Sequence, residues 1–428
     1  MFKKTLKKIK KTLHLFGPGF ITGAADDDPS GIATYTQTGA QFGYGQLWTA
    51  LFMLPFMMAT QEASARIGTV TGKGIAAVVK EKYGRHILFF VVALVLVANT
   101  INIGADIGAM ASSAQLLIPI PFAILMLSFT AIILFLEIYT SYRVYARILK
   151  WLALTLLAYP LTVFIVQQPW GDILRATFIP HIEWTFPFFF IITGVLGTTI
   201  SPYMFFWEAS QEVEEEERHH FIFAKARIAR MFQFIHSMRF DSNVGMIISE
   251  FATWSIIVVA ATVLHANGVT DVPTAAQAAA ALEPLVHTFP YAGIFAKLIF
   301  AIGVIGLGLL AVPVLSGSAA YAVSETFNWR EGLNKKLKRA HGFYGVITIA
   351  TIVGLMINFV GINPIRALVY TAVFNGIAAV PLIYIITRLS SDTKIMGSYA
   401  SGALSKTLLW ITFAGMGAAA LALIISLI

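Results

Sequence analysis

Apolar residues gather in eleven runs along this chain, at roughly 16–38, 46–66, 87–117, 119–140, 148–168, 185–209, 243–265, 291–323, 342–361, 364–387 and 406–427. A helix needs about 20 such residues to cross a hydrocarbon core, and polar connections separate the runs. The pattern predicts an all-α polytopic membrane protein with eleven transmembrane helices. The third and eighth runs exceed one perpendicular span, so those helices tilt or extend a turn beyond the bilayer. The first and sixth runs are interrupted halfway. Run 1 breaks at Asp28-Pro29-Ser30-Gly31, and run 6 at Thr198-Thr199-Ile200-Ser201-Pro202, after Gly194 and Gly197. Irregular backbone is tolerated at membrane depth only where protein or a water-filled cavity covers it. Five runs separate the two breaks, the offset of an inverted repeat relating spans 1–5 to spans 6–10. The expected organisation places the first repeat within residues 1–168 and the second within 169–387. A connection and a peripheral eleventh span fill 388–428.

Composition agrees: the chain is 57% hydrophobic and 12% charged, against about 25% charged residues in soluble domains. Mean hydropathy is +0.75. The absence of cysteine excludes disulfides, thiolate metal sites and cysteine nucleophiles. A net charge of +8 would fit a nucleic-acid partner, but the basic residues lie in connections, where membrane topology explains them. Of the thirty Lys and Arg, 27 fall before run 1 or after runs 2, 4, 6, 8 and 10, leaving only Arg175, Lys297 and Arg366 on the other side. This asymmetry supports the span count and predicts a cytoplasmic N-terminus with the C-terminus outside. The Lys-rich start runs into run 1 without a small-residue cleavage site, so no cleavable signal is expected. The expected location is a bacterial plasma membrane. Lipid is the surrounding partner, and the pattern leaves the oligomeric state open.

The breaks concentrate the chemistry. Asp26, Asp27 and Asp28 are the only charges in run 1, and a charge at the bilayer centre costs at least about 2.5–3.5 kcal/mol on insertion scales. Three adjacent carboxylates must therefore face protein or a water-filled cavity, or be partly protonated. With Pro29 and Gly31 freeing carbonyl oxygens beside them, the segment reads as a site for a cation. Asp28 before Pro29 is also a good N-cap for the second half-helix, a role compatible with coordination that leaves Asp26 and Asp27 unexplained. Successive helical residues point about 100° apart, so at most two of the three reach one ion directly. Ser201 and Thr198 offer hydroxyl and freed carbonyl oxygens suited to Mg²⁺, Ca²⁺ or Mn²⁺, or merely satisfy backbone groups released by Pro202. Asn99, Asn102 and Asp106 form a polar stripe on run 3, fitting either an ion path or a structural hydrogen bond. Asn375 before Gly376 fits an interhelical bond. Glu62, Glu137 and Glu250 read as interfacial. Glu208 and Glu212 lead into Glu214 to Glu217, a solvated face or a cation-attracting mouth. His219 and His220 read as surface, and Met53, Met57 and Met58 as packing.

The stretch Gly17-Pro18-Gly19-Phe20 through Asp28-Pro29-Ser30-Gly31, followed by Gly39-Ala40-Gln41-Phe42-Gly43-Tyr44 and Thr71-Gly72-Lys73, resembles the natural-resistance-associated macrophage protein (NRAMP) family of divalent-metal transporters. The resemblance implies a leucine-transporter-like fold with broken helices 1 and 6. It also implies metal ligation by Asp28 and by the carbonyls of Ala25 and Thr198. Where the family carries Asp-Pro-Gly-Asn, this chain has Asp28-Pro29-Ser30-Gly31; where it carries Met-Pro-His, this chain has Ser201-Pro202-Tyr203. Asn and thioether ligands thus become Gly31 and a Ser201 hydroxyl. The family's acidic pair in span 3 falls on Asn102 and Ala105, with Asp106 one position on, and a span 10 glutamine falls at or beside Asn375.

Loss of the soft sulfur favours hard cations, and a roomier site suits Mg²⁺, which keeps several waters. The chain thus resembles the divergent NRAMP-related branch that includes magnesium transporters. The expectation is alternating-access transport of Mg²⁺ or Mn²⁺ without proton coupling, with no cofactor and no enzymatic activity. The expected metal positions are Asp28, Ala25, Gly31, Thr198, Ser201, Asp26 and Asp27. Asn102, Asp106, Tyr203, Glu208 and Asn375 are candidates for the ion path or for coupling. The alternatives are a proton-coupled Mn²⁺/Fe²⁺ importer of the ordinary family kind, an amino-acid or amine permease of the same architecture, and an intramembrane aspartyl protease using Asp28 and Asp106. The permease would have to place a substrate carboxylate beside three Asp residues, and the protease's sequence signatures are absent.

Overall fold

The computed structural model describes residues 18–140, 154–218, 227–287 and 291–426. Arg143, Arg147, Lys150, His219 and His220, the Lys-rich start and the beginning of run 5 lie outside them. No strand occurs among the described residues. Helices α1 (Pro18–Asp26) and α2 (Pro29–Phe42) are the halves of the first span, and α3 (Trp48–Thr71) is the second. A short α4 (Ile75–Tyr83) leads into α5 (Arg85–Ala114) and α6 (Phe122–Tyr139), spans 3 and 4. The end of span 5 is α7 (Ala158–Ile165), followed by α8 (Trp170–Phe178) in a connection. Span 6 divides into α9 (Phe186–Thr199) and α10 (Pro202–Arg218), and α11 (Arg227–Val263) is span 7. After α12 (Ala275–Ala280) come α13 (Ala292–Phe327), α14 (His341–Ile357) and α15 (Pro364–Ser390), then α16 (Thr393–Met396) and α17 (Ala403–Ile425).

Among the described residues, eight stretches are long and apolar enough to cross a membrane, the two halves of span 6 counting together as one. The other three expected spans are the broken first one, α3 with its Gln61, Glu62 and Arg66, and the partly described fifth. Helix α11 starts well before the expected residue 243, because no Pro or Gly interrupts the chain between Arg227 and Gly245. Helix α13, at 36 residues, reaches about 54 Å at 1.5 Å per residue. It therefore extends well beyond a hydrocarbon core of about 30 Å.

Burial sorts the spans. The apolar window of span 6 is 94% buried, whereas those of α6 and α17 are 28% buried. Span 6 thus runs through the middle, and spans 4 and 11 turn most of their surface outward, as expected for the eleventh. Exposed Phe89, Phe90, Leu127, Phe135, Leu161 and Leu421 are lipid-facing in such a bundle.

The packing follows the inverted repeat. The most extensive contact is α5 on α13, spans 3 and 8, which exchange places under that symmetry. The α3 and α11 pair, spans 2 and 7, behaves likewise. The α2–α11 contact has its counterpart in α10 on α3, and a glycine sits in each. A Cβ at Gly39 would strike the Ile257 carbonyl of α11, and one at Gly68 would strike the Ala209 carbonyl of α10. Small residues that let backbones meet are the usual solution where lipid supplies no hydrophobic drive between helices.

Candidate ion site at the two helix breaks

Asp28 occupies the first break with extended backbone (φ −62°, ψ 174°) and caps α2 by accepting the Gly31 N–H at its Oδ1, 2.8 Å away. Its Oδ2 accepts from Asn102 Nδ2 of α5 at 3.1 Å. The cap expected from Asp-Pro is therefore formed, and a third span reaches the carboxylate. At the second break, α9 ends at Thr199 and Pro202 opens α10. The Ser201 hydroxyl turns back onto the Gly197 and Thr198 carbonyls, at 2.5 and 3.0 Å.

The two breaks face one another. The Tyr203 hydroxyl donates to the Ala25 carbonyl at 3.0 Å, and Tyr35 shares a 3.0 Å hydrogen bond with Thr199. A Cβ at Gly31 would lie 3.2 Å from the Asp26 carbonyl and 3.4 Å from Thr198 Oγ1. The bare glycine lets the half-helices approach this closely. Ala25, Asp28, Thr198, Ser201 and Tyr203 are all buried. A carbonyl has two lone pairs, so Ala25 can accept the Tyr203 hydrogen bond and still ligate an ion.

The three consecutive carboxylates do not share one direction: Asp28 meets α5, while Asp26 and Asp27 both meet α11. Asp26 Oδ2 accepts from Ser249 Oγ of α11 at 2.7 Å, while its Oδ1 and the Asp27 Oδ1 have no hydrogen-bond partner. Glu250, next to Ser249, is buried with both oxygens unpartnered and repels Asp27. Its expected interfacial position is incorrect, because α11 turns it inward beside the first break. The signal was present in the spacing of Ser242, Ser249 and Thr253, which marks one polar helix face. Glu137 is likewise buried, accepting from Ser316 Oγ at 2.6 Å. Among the described residues, no group of three or more His, Cys, Asp or Glu converges to hold a metal. Any ion here relies on one or two carboxylates with carbonyls, hydroxyls or water.

Other candidates lie further off. Glu208 joins α1 to α11, accepting from Thr22 Oγ1 at 2.5 Å and Ser242 Oγ at 2.9 Å. Asn375 is buried in α15 beside Gly376, whose backbone packs against Thr193 of α9. Glu212 is buried rather than solvated, and Glu214 is enclosed by Tyr321, the Leu333 N–H and Asn334. Met57 is buried, with Met53 and Met58 packed against the same core.

A cavity of about 390 Å³ lies away from the breaks, at the end of the bundle rich in Lys and Arg, between Gly74, Ser210, Glu214, Tyr321 and Glu325. There Glu325 accepts the Ala77 N–H of α4 at 2.9 Å and Ser210 Oγ at 3.2 Å. On α3, Glu62 holds Arg66 of the same helix and Arg239 of α11 at 2.9 and 2.8 Å.

Comparison with known proteins adds the family. Residues 19–426 match the model for natural resistance-associated macrophage protein-like (Nramp) proteins. The chain is 27% identical to the divalent metal cation transporter MntH of Klebsiella pneumoniae over 434 residues, 99% of this chain and 94% of that protein. The manganese transporter of Eremococcus coleocola superposes with a TM-score of 0.73 at 16% identity, covering 97% of this chain and 86% of that one. MhsT, solved with L-phenylalanine, superposes with a TM-score of 0.61 at 11% identity, covering 96% and 97% of the two chains. At such identities the two structures establish the fold alone. With the family match spanning nearly its whole length, this integral membrane chain belongs to the Nramp family.

Proposed function

We propose that this protein carries a divalent cation, Mg²⁺ or Mn²⁺, across the membrane by alternating access, with Asp28 as the direct carboxylate ligand. The observation that carries the reading is Asp28 held at two facing helix breaks, in a region without a balancing cation. No Lys or Arg occurs from Phe16 to Ala65, from His86 to Ser141, or from Phe186 to Glu217. A buried carboxylate in such surroundings needs a proton or a metal ion. The carbonyls of Ala25 and Thr198 complete an oxygen-only set, and the Ser201 hydroxyl joins it by turning away from Gly197. Hard oxygens favour Mg²⁺ and Mn²⁺ over softer metals. The names of the relatives, a divalent metal cation transporter and a manganese transporter, support the same class of cargo. The N-terminus faces the cytoplasm, by the placement of Lys and Arg.

Flux into proteoliposomes, with Mg²⁺, Ca²⁺, Mn²⁺ and Cd²⁺ compared and lumenal pH followed, tests this. Mg²⁺ and Mn²⁺ enter without acidification on this reading. Failure of both to cross would refute transport, Cd²⁺ preference would refute the hard site, and acidification tracking uptake would establish the proton-coupled alternative.

A further inference from the structure

Asn102 and Asp106 lie four residues apart on α5, neighbours on one helix face. The Asn102 amide is oriented by its donation to Asp28 Oδ2. Its own Oδ1 has no hydrogen-bond partner, nor has either oxygen of Asp106, and both residues are fully buried. Asp106 lies within Coulomb reach of Asp28 and of the Tyr203 phenol. No Lys or Arg follows Arg85 on α5, and none occurs on α1 or α2. Three acceptor oxygens with no donor therefore lie on the face of α5 that meets the proposed ligand through Asn102.

Leaving acceptors unmade is costly, so this arrangement is suited to a guest that presents only donors. The water shell of a dication is such a guest, since its waters point their hydrogens outward. Mg²⁺ dehydrates reluctantly and usually keeps several waters. Resting on the reading of Asp28 as ligand, we propose that Asn102 and Asp106 form a receiving wall for the water ligands of a hydrated dication. Asp28 then supplies the inner-sphere contact. The wall is a specificity determinant: it rewards the ion that keeps its waters and gives less to one that sheds them.

Three measurements test it on purified full-length protein. Hexaamminecobalt(III), an exchange-inert stand-in whose outward groups all donate, cannot take Asp28 as an inner-sphere ligand and so reads the wall alone. It should compete with Mg²⁺ for wild-type binding in isothermal titration, more weakly than Mg²⁺ itself, and absence of competition overturns the wall. Asp106→Asn keeps the volume while exchanging an acceptor for a donor. It should raise the KM for Mg²⁺ by about 10-fold, within the range typical of groups outside the first coordination shell, and that for Mn²⁺ by less. Asn102→Ala should shift the same ratio in the same direction. Unchanged Mg²⁺-to-Mn²⁺ selectivity in a folded variant, or loss of proton movement alone, would overturn the inference. Should neither variant fold, the cobalt competition decides. A wild type that neither binds nor transports either ion would instead defeat the reading of Asp28, a separable result.

Discussion

The carboxylates at the helix breaks and those at the Lys- and Arg-rich end of the bundle are all largely buried but differently partnered. At that end, Glu62 holds Arg66 and Arg239, and Arg66 reaches on to the Tyr399 carbonyl and Ser401. Glu325 caps α4 and accepts from Ser210. At the breaks, Asp26, Asp27, Asp106 and Glu250 keep unpartnered oxygens, and no described basic side chain pairs with them. Burial alone therefore does not mark a functional carboxylate. A carboxylate with a built-in partner holds helices together, whereas one without a partner needs a proton or a cation.

The contrast fails first if the paired group tolerates loss of its partner. Arg66→Ala leaves Glu62 with only the half-exposed Arg239, and breaking a buried pair costs about 3–5 kcal/mol. The expected result is a large fall in melting temperature in detergent, with Mg²⁺ affinity unchanged. Glu325→Ala removes a helix cap and a bond to Ser210, and should cost about 2 kcal/mol in the same assay.

Glu250→Gln sharpens the other side. Replacing an unpartnered carboxylate by a neutral isostere should leave metal-free stability unchanged or raise it, by up to about 2 kcal/mol. A fall in melting temperature would reveal a structural partner for Glu250. The smallest effect belongs to Asp392, a paired carboxylate outside the spans. The hydrogen bond from Lys82, then that from the Lys394 N–H, holds its carboxyl below the usual range. Its contribution is present above the unfolded pKa, near about 4, and disappears as pH falls through the lower folded value. Asp392→Asn should lower the melting temperature slightly at pH 7 and not at all in strong acid.

What could be read in the chain follows the range of the forces. Both breaks were legible because Pro29 and Pro202 act on their own backbone, and Asp28 caps within three residues. The span count was legible because hydrophobic thickness is a local length. Short helices such as α4 and α8 were not, since they lie in connections and carry no long apolar run. Glu250 and Glu137 were misplaced for a related reason. Their burial depends on which way a long helix is rotated, and contacts across the bundle decide that. The hydrogen bond from Tyr203 to the Ala25 carbonyl, which ties one break to the other, joins residues 178 apart in sequence. Recurrence of small polar residues on α11 was the one local trace of the acid cluster beside it.

The most direct test is metal-dependent thermal stabilisation of wild type, Asp28→Ala and Arg66→Ala, read with Mg²⁺ and with Mn²⁺. A bound ion at 100 times its Kd adds about 2.7 kcal/mol. Wild type should gain that increment and Asp28→Ala should lose it. Arg66→Ala, though less stable without metal, should keep it. Equal stabilisation of Asp28→Ala and wild type would contradict the claim that Asp28 waits for a cation.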